Sequence, residues 1–168
     1  ECYILALAYE AFNVNYDATT VDQAHKVVEI HQPDGRNDIL QQIEHGMLSV
    51  VGGYRSLGRL YRGIICSHLR QYVLLGDSAA MTKNIKGDDD DRWVFTEDNP
   101  PRELTTAAQL AASSRALKGF NDELSAHALE AAQELYRVTR VEDDKALSAK
   151  IHAAAELLLT TGEEVYRS

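Results

Sequence analysis

The residues best equipped for chemistry gather in one stretch, "GDDDDRWVFTEDNPP", residues 87–101. Four consecutive aspartates run into the only tryptophan of the chain, Trp93, and Glu97 and Asp98 follow it. Three readings compete for this pattern. Clustered carboxylates suit a hard cation such as calcium, but the EF-hand spacing with its terminal glutamate is absent, and no metal or other cofactor is expected. A solvated acidic turn is the simplest account of residues 88–91. Finally, an indole offers a flat apolar face to a sugar ring, while flanking charged groups can hydrogen-bond its hydroxyls; alternatively it anchors a core.

The remaining reactive residue types give weaker signals. His25 and His31 lie six positions apart, which matches no common zinc spacing. His45 falls between apolar positions of a helical pattern and reads as structural, and His127 and His152 read as surface or packing residues. His68 stands near Arg70 and Tyr72 in an irregular region, where contact with a ligand and contact with loop backbone are equally compatible. Ser113 and Ser114 lack the Gly-x-Ser-x-Gly setting of a nucleophile. Cys2 and Cys66 have no C-x-x-C spacing, leaving two buried thiols or a single disulfide as alternatives.

These residues need a scaffold, and the chain of 168 residues is long enough for one domain with a sizeable core. Apolar residues make up 45% and charged residues 26%, the balance of a globular protein. The net charge of −9 argues against nucleic-acid partners, which are held by Lys and Arg on phosphates. No apolar run approaches the roughly 20 residues of a membrane span.

Hydrophobic periodicity predicts five helices. The first carries Ile4, Leu7, Ala8, Ala11 and Phe12 on one side; the second starts at an Asn37 N-cap and places Leu40, Ile43, Met47, Val50, Tyr54 and Leu57 on its stripe. The third, "ELTTAAQLAASSRALK", is rich in Ala and Ser, so a neighbour can come close. The fourth presents Leu124, Ala128, Ala131, Leu135 and Val138, and the fifth Leu147, Ile151, Ala154 and Leu158. Short links between the last three imply antiparallel hairpins. Residues 58–102 form a long irregular region between the second and third helices, and long loops on a helical scaffold are often functional. The expected class is all-α with one elaborated loop. Both ends of the chain interrupt helical patterns, so a larger parent domain is expected.

Taken in order, several segments resemble glycoside hydrolase family 9. "NDILQQIEHG", residues 37–46, is similar to that family's Asp-Ile/Leu-Leu-x-Glu/Gln-Ile-x-x-Gly helix. "LGDSAAMTKNIKGDDDDRWVFTEDNPPR", residues 75–102, resembles its Gly-Asp, Asp-His-x-x-Trp and Trp-x-x-x-Glu-Asp series. "TTAAQLAASSRALKGFND", residues 105–122, looks like the Ala-rich helix that follows, and "AAAELLLTTGEEVY" like its helical-hairpin repeat. "RGIICSHLRQYVLLGD" is closest in wording to bacterial members with an Ig-like N-terminal domain.

The resemblance covers residues 1–168 as a partial catalytic domain and implies part of an (α/α)6 barrel, an α/α toroid. It implies a secreted, periplasmic or cell-surface parent enzyme acting on β-1,4-linked glucan. Trp93, Arg92 and Glu97 become the expected sugar contacts, with His68 and Asp90 beside them; Asp90 stands where the family keeps a histidine. Inverting hydrolysis needs two carboxyl groups about 6.5–9.5 Å apart. The family's base lies in an Asp-Ala-Gly-Asp motif and its acid is a distant glutamate; neither is found in this sequence. "DATTVD", residues 17–22, lacks the glycine and follows the first helix. The chain alone is therefore expected to be inactive, with no catalytic residue of its own, and its uncovered half-barrel faces are expected to self-associate. A non-enzymatic helical-hairpin interaction module and another α/α-toroid carbohydrate-active enzyme are the alternatives.

Overall fold

A computed structural model describes residues 1–22, 24–66, 85–88 and 91–167. In chain order the elements are α1 (Cys2–Phe12), β1 (Thr19–Asp22), β2 (Val27–Ile30), α2 (Asp38–Leu57), β3 (Tyr61–Cys66), β4 (Arg92–Thr96), α3 (Pro100–Leu117), α4 (Asp122–Val138) and α5 (Asp144–Thr161), with a closing 3-10 turn at Glu164–Tyr166. The molecule is mostly helical, as the periodicity implies. Two small antiparallel sheets, β1–β2 and β3–β4, are additions that the all-α expectation lacked. The second occupies both edges of the region read as irregular. Among the described residues each is a pair of short strands, too little to stand out against the helical signal.

Helix boundaries follow their capping residues. The Asn37 side-chain oxygen accepts from the backbone N–H groups of Ile39 and Leu40, satisfying two donors that the first turn of α2 leaves open. Asn99, Asn121 and Asp143 cap α3, α4 and α5 through one N–H each. Gly58 and Gly162 close α2 and α5 at φ of 67° and 73°, a left-handed conformation that costs glycine little.

The core is built around α3. Leu104, Ala107, Ala108, Ala111, Ala112 and Leu117 are fully buried on it, as is Ser113. Helices α5 and α4 make its largest contacts, and α1 and α2 also touch it. Paired contacts give the directions. Leu104 packs with Ala146 and Ala149 while Arg115 reaches Glu156 and Thr160, so α3 and α5 run parallel. Ser114 meets Ser125 while Glu103 meets Thr139, so α4 runs antiparallel to α3. Glu44 meets Asn121 and Arg55 meets His127, which makes α2 parallel to α4. Alternate helices thus form two rows, α2 with α4 and α3 with α5.

Small side chains permit the close packing. The hydroxyls of Ser114 and Ser125 each donate to the other residue's carbonyl, at 2.8 and 2.7 Å, so both buried polar groups are satisfied where α3 and α4 touch. α5 buries Ala146, Ala149, Ala153 and Leu157, whereas Leu147 and Ile151 are exposed. This overturns the stripe read from the sequence. α1 is corrected in the same sense: Ala6 is buried and Cys2, Leu5 and Tyr9 pack on the core, while Ile4 and Phe12 are 70% and 79% exposed. On α2 and α4 the expected stripes are buried, apart from the half-buried Val50 and from Leu57 and Val138 at the helix ends.

Candidate functional site

The β3–β4 hairpin carries the tryptophan. Its register pairs Cys66 with Arg92, Ile65 with Trp93, Ile64 with Val94, Gly63 with Phe95 and Tyr61 with Thr96, with an irregularity between Tyr61 and Gly63. Successive side chains on a strand point to opposite faces. Trp93 and Phe95 therefore share one face, and Arg92 and Val94 the other. Every residue of β4 is exposed, Trp93 at 60% and Phe95 at 50%. Opposite Phe95, a side chain at Gly63 would meet nothing within 4 Å, so the aromatic face lies open there.

The base of the hairpin is tied to the helices. The Tyr61 ring lies over Gly53 of α2, where any Cβ would run into it, and its hydroxyl donates to the Ser49 carbonyl at 3.3 Å. Glu97, just past β4, is held by Arg102 Nη1 at 2.6 Å and Arg62 Nη1 at 3.4 Å. Arg59 Nη2 donates to the Glu97 carbonyl at 3.4 Å. Asn99 then starts α3, with Pro100 and Pro101 in its first turn, where a missing N–H is harmless. At the acidic end, Asp91 accepts from the Gly87 backbone N–H at 2.6 Å and closes a turn.

The expected sugar contacts are thus separated. Trp93 is exposed on a platform, but Arg92 points to the opposite face. Glu97 is already engaged by two arginines. His68 and Asp90 lie outside the described residues, as do Arg70 and Tyr72. Three residues were not singled out from sequence: Phe95, which shares the Trp93 face, and Arg62 and Arg102, which hold Glu97. The alternation in "RWVFT" carries the signal for Phe95, since residues two apart share a strand face. Nothing local marks Arg62, because its partner, Glu97, is 35 residues away, whereas Arg102 lies five residues beyond Glu97 across the start of α3.

Two other polar clusters are present. Between α1, α3 and α5, the Tyr3 hydroxyl bonds His152 Nε2 at 2.8 Å and Glu156 Oε1 at 2.9 Å. Arg115 bridges Glu10 and Glu156 and reaches Thr160 at 2.8 Å. Burial, reinforced by the Glu156 carboxylate, pushes the Tyr3 phenol up to about 12. Burial works against the Arg115 charge, but the two carboxylates outweigh it and raise its pKa. This network joins three helices and leaves Glu156 only 5% exposed, so it serves packing.

The second cluster, around Asp17 and Asp34, adjoins a cleft of about 320 Å³ between the β1–β2 hairpin and α2, bordered by Val21, Val28, Arg36, Asp38, Gln41 and His45. Asp17 accepts the backbone N–H groups of Asp34 and Gly35, and Asp34 accepts from Val21, Arg36 and the Gln41 amide. Desolvation opposes the Asp34 charge, but these donors outweigh it and hold its carboxyl below the usual range. The cleft is a scaffold for the hairpin. Among the described residues no three His, Cys, Asp or Glu side chains gather as a metal ion would require, and no helix is long and apolar enough to cross a membrane. No protein-family profile, curated protein or solved structure matches the chain.

Proposed function

We propose that this chain is part of a glycoside hydrolase acting on β-1,4-linked glucan, such as cellulose, xyloglucan or mixed-linkage glucan, and supplies substrate subsites instead of the catalytic carboxylates. The observation that carries the reading is the exposed Trp93–Phe95 face on a hairpin braced against a helical body. A single-domain core normally absorbs its large aromatics, and a lone exposed indole two residues from an exposed phenyl group suits the apolar face of a pyranose. The ordered resemblance to glycoside hydrolase family 9 supports the same reading. Two rows of helices, parallel within each row, are what an arc of an (α/α)6 barrel would contain. A parent enzyme of this kind would work outside the cytoplasm, by inversion, with its acid and base on segments other than these.

Trp93 is the only indole, so its fluorescence reports directly on the site. Titration with cello- and xyloglucan oligosaccharides is expected to change the emission saturably, and Trp93→Ala is expected to abolish binding measured by calorimetry. An unchanged calorimetric affinity in that variant would sink the subsite assignment. The chain alone is expected to release no reducing sugar from β-glucan.

A second reading, a helical-hairpin module that binds protein, is favoured by the exposed Ile4, Leu7 and Phe12 of α1 and Leu147, Ile151 and Leu159 of α5. Exposed apolar residues of this size are more than scattered surface residues usually provide. Light scattering separates the readings: self-association removed by Phe12→Ser and Ile151→Ser, with no glycan response, selects the module.

A further inference from the structure

Among the described residues the base of the hairpin gathers three arginines around one glutamate. Arg62 and Arg102 share the Glu97 carboxylate, and Arg59 reaches the Glu97 carbonyl. Each guanidinium is a planar fork of five N–H donors. Among the described residues each of these three spends one nitrogen on Glu97, and the Arg62 and Arg102 side chains remain 65% and 49% exposed. The neighbouring Asp98 does not correct the balance, because Arg140 takes it at 2.7 Å and Glu142 takes Arg140. This surplus sits on a chain whose net charge is −9, so it runs against the general trend of the surface.

The fork also lies at the end of the aromatic floor. Glu97 follows Trp93 by four residues, a strand distance of about 14 Å at 3.4 Å per residue. Phe95 and the open space at Gly63 lie between them. A ligand resting on Trp93 and reaching the arginines must therefore be longer than one sugar ring.

We propose that this face takes an acidic oligosaccharide, with pyranose rings on Trp93 and Phe95 and a uronate carboxylate on Arg62 and Arg102. Guanidinium forks match carboxylates in shape and charge, and the group already seated between the two arginines is itself a carboxylate. The ligand carboxylate shares or replaces Glu97 there. The inference rests on the carbohydrate reading above and narrows it from neutral glucan to chains bearing uronic acid.

The experiment compares cellohexaose with a glucuronate-bearing oligosaccharide of the same backbone length, following Trp93 emission at low and high salt. The acidic ligand is expected to bind about fivefold tighter at low salt, the size of one exposed ion pair. Screening is expected to bring the ratio close to one at high salt. Arg62→Gln is expected to bring the ratio of acidic-ligand to cellohexaose affinity close to one; an unchanged ratio overturns the uronate assignment. Glu97→Gln is expected to increase that ratio, because a competing carboxylate has gone; a purely structural clasp would not give that gain. Equal affinities for the two ligands, or a loss of acidic-ligand binding in Glu97→Gln, overturn the uronate assignment and leave the carbohydrate reading standing. No response to either ligand overturns both.

Discussion

The helical body and the β3–β4 hairpin solve opposite problems with similar residues. In α3, leucines, alanines and serines disappear from water on nearly every side, and polar groups such as Ser114 and Ser125 find partners within the core. In β4, tryptophan, valine and phenylalanine stay in water, and order comes from a few ties at the base: Tyr61 on Gly53 and the arginine grip on Glu97. One region spends its apolar surface on stability. The other keeps it available for a ligand.

The contrast predicts a ranking of effects. Leu117→Ala removes a fully buried side chain and is expected to cost about 2–5 kcal/mol in urea unfolding. A cost below that of a surface change would mean that α3 is not the centre of the core. Gly53→Ala is expected to cost less, about 1–3 kcal/mol, because the Tyr61 ring must move. Its distinctive sign would be faster amide exchange in β3 and β4 with α3 to α5 unchanged; uniform exchange would show that the hairpin does not hang on Tyr61.

Alkali tests the helical body alone. The phenols of Tyr3 and Tyr54 are both raised from 10.0 to about 12, in each case first by burial and then by a carboxylate, Glu156 or Glu134. Folding thus favours the protonated phenols. Their contribution is fully present below pH 10 and is lost as pH rises toward 12. Stability followed by circular dichroism is expected to fall across that window, and Tyr3→Phe to reduce the fall; an identical profile in the variant would contradict the sign. The smallest expected effect on stability is that of Trp93→Ala, within about 0.5 kcal/mol, because its side chain is largely exposed. A loss as large as that of Leu117→Ala would make Trp93 a packing residue and remove the distinction between the regions.

Much of the helical organisation was legible from local signals. Asn37, Asn121 and Asp143 announce helix starts because each side chain satisfies an N–H within three residues of itself. Gly58 and Gly162 announce stops for an equally local reason. The faces of α1 and α5 were not legible. "CYILALAYEAF" is apolar nearly all round, so periodicity alone offers several faces and favours the bulkiest. The fold selects the smallest instead: Ala6 on α1 and Ala146, Ala149 and Ala153 on α5 fit beside the alanines of α3, where Ile4 or Ile151 would hold the helices apart.

The candidate site divides in the same way. Sequence by itself determined that one tryptophan stands in an acidic, proline-terminated segment just ahead of a helix, because these are properties of neighbouring residues. Once the segment is a strand, the alternation of "RWVFT" turns Arg92 away from Trp93 and sets Phe95 beside it; only the tertiary structure decided that it pairs as a strand with β3 and that Arg62 joins Arg102 on Glu97. That pairing depends on contacts between residues about thirty positions apart, which no local pattern records.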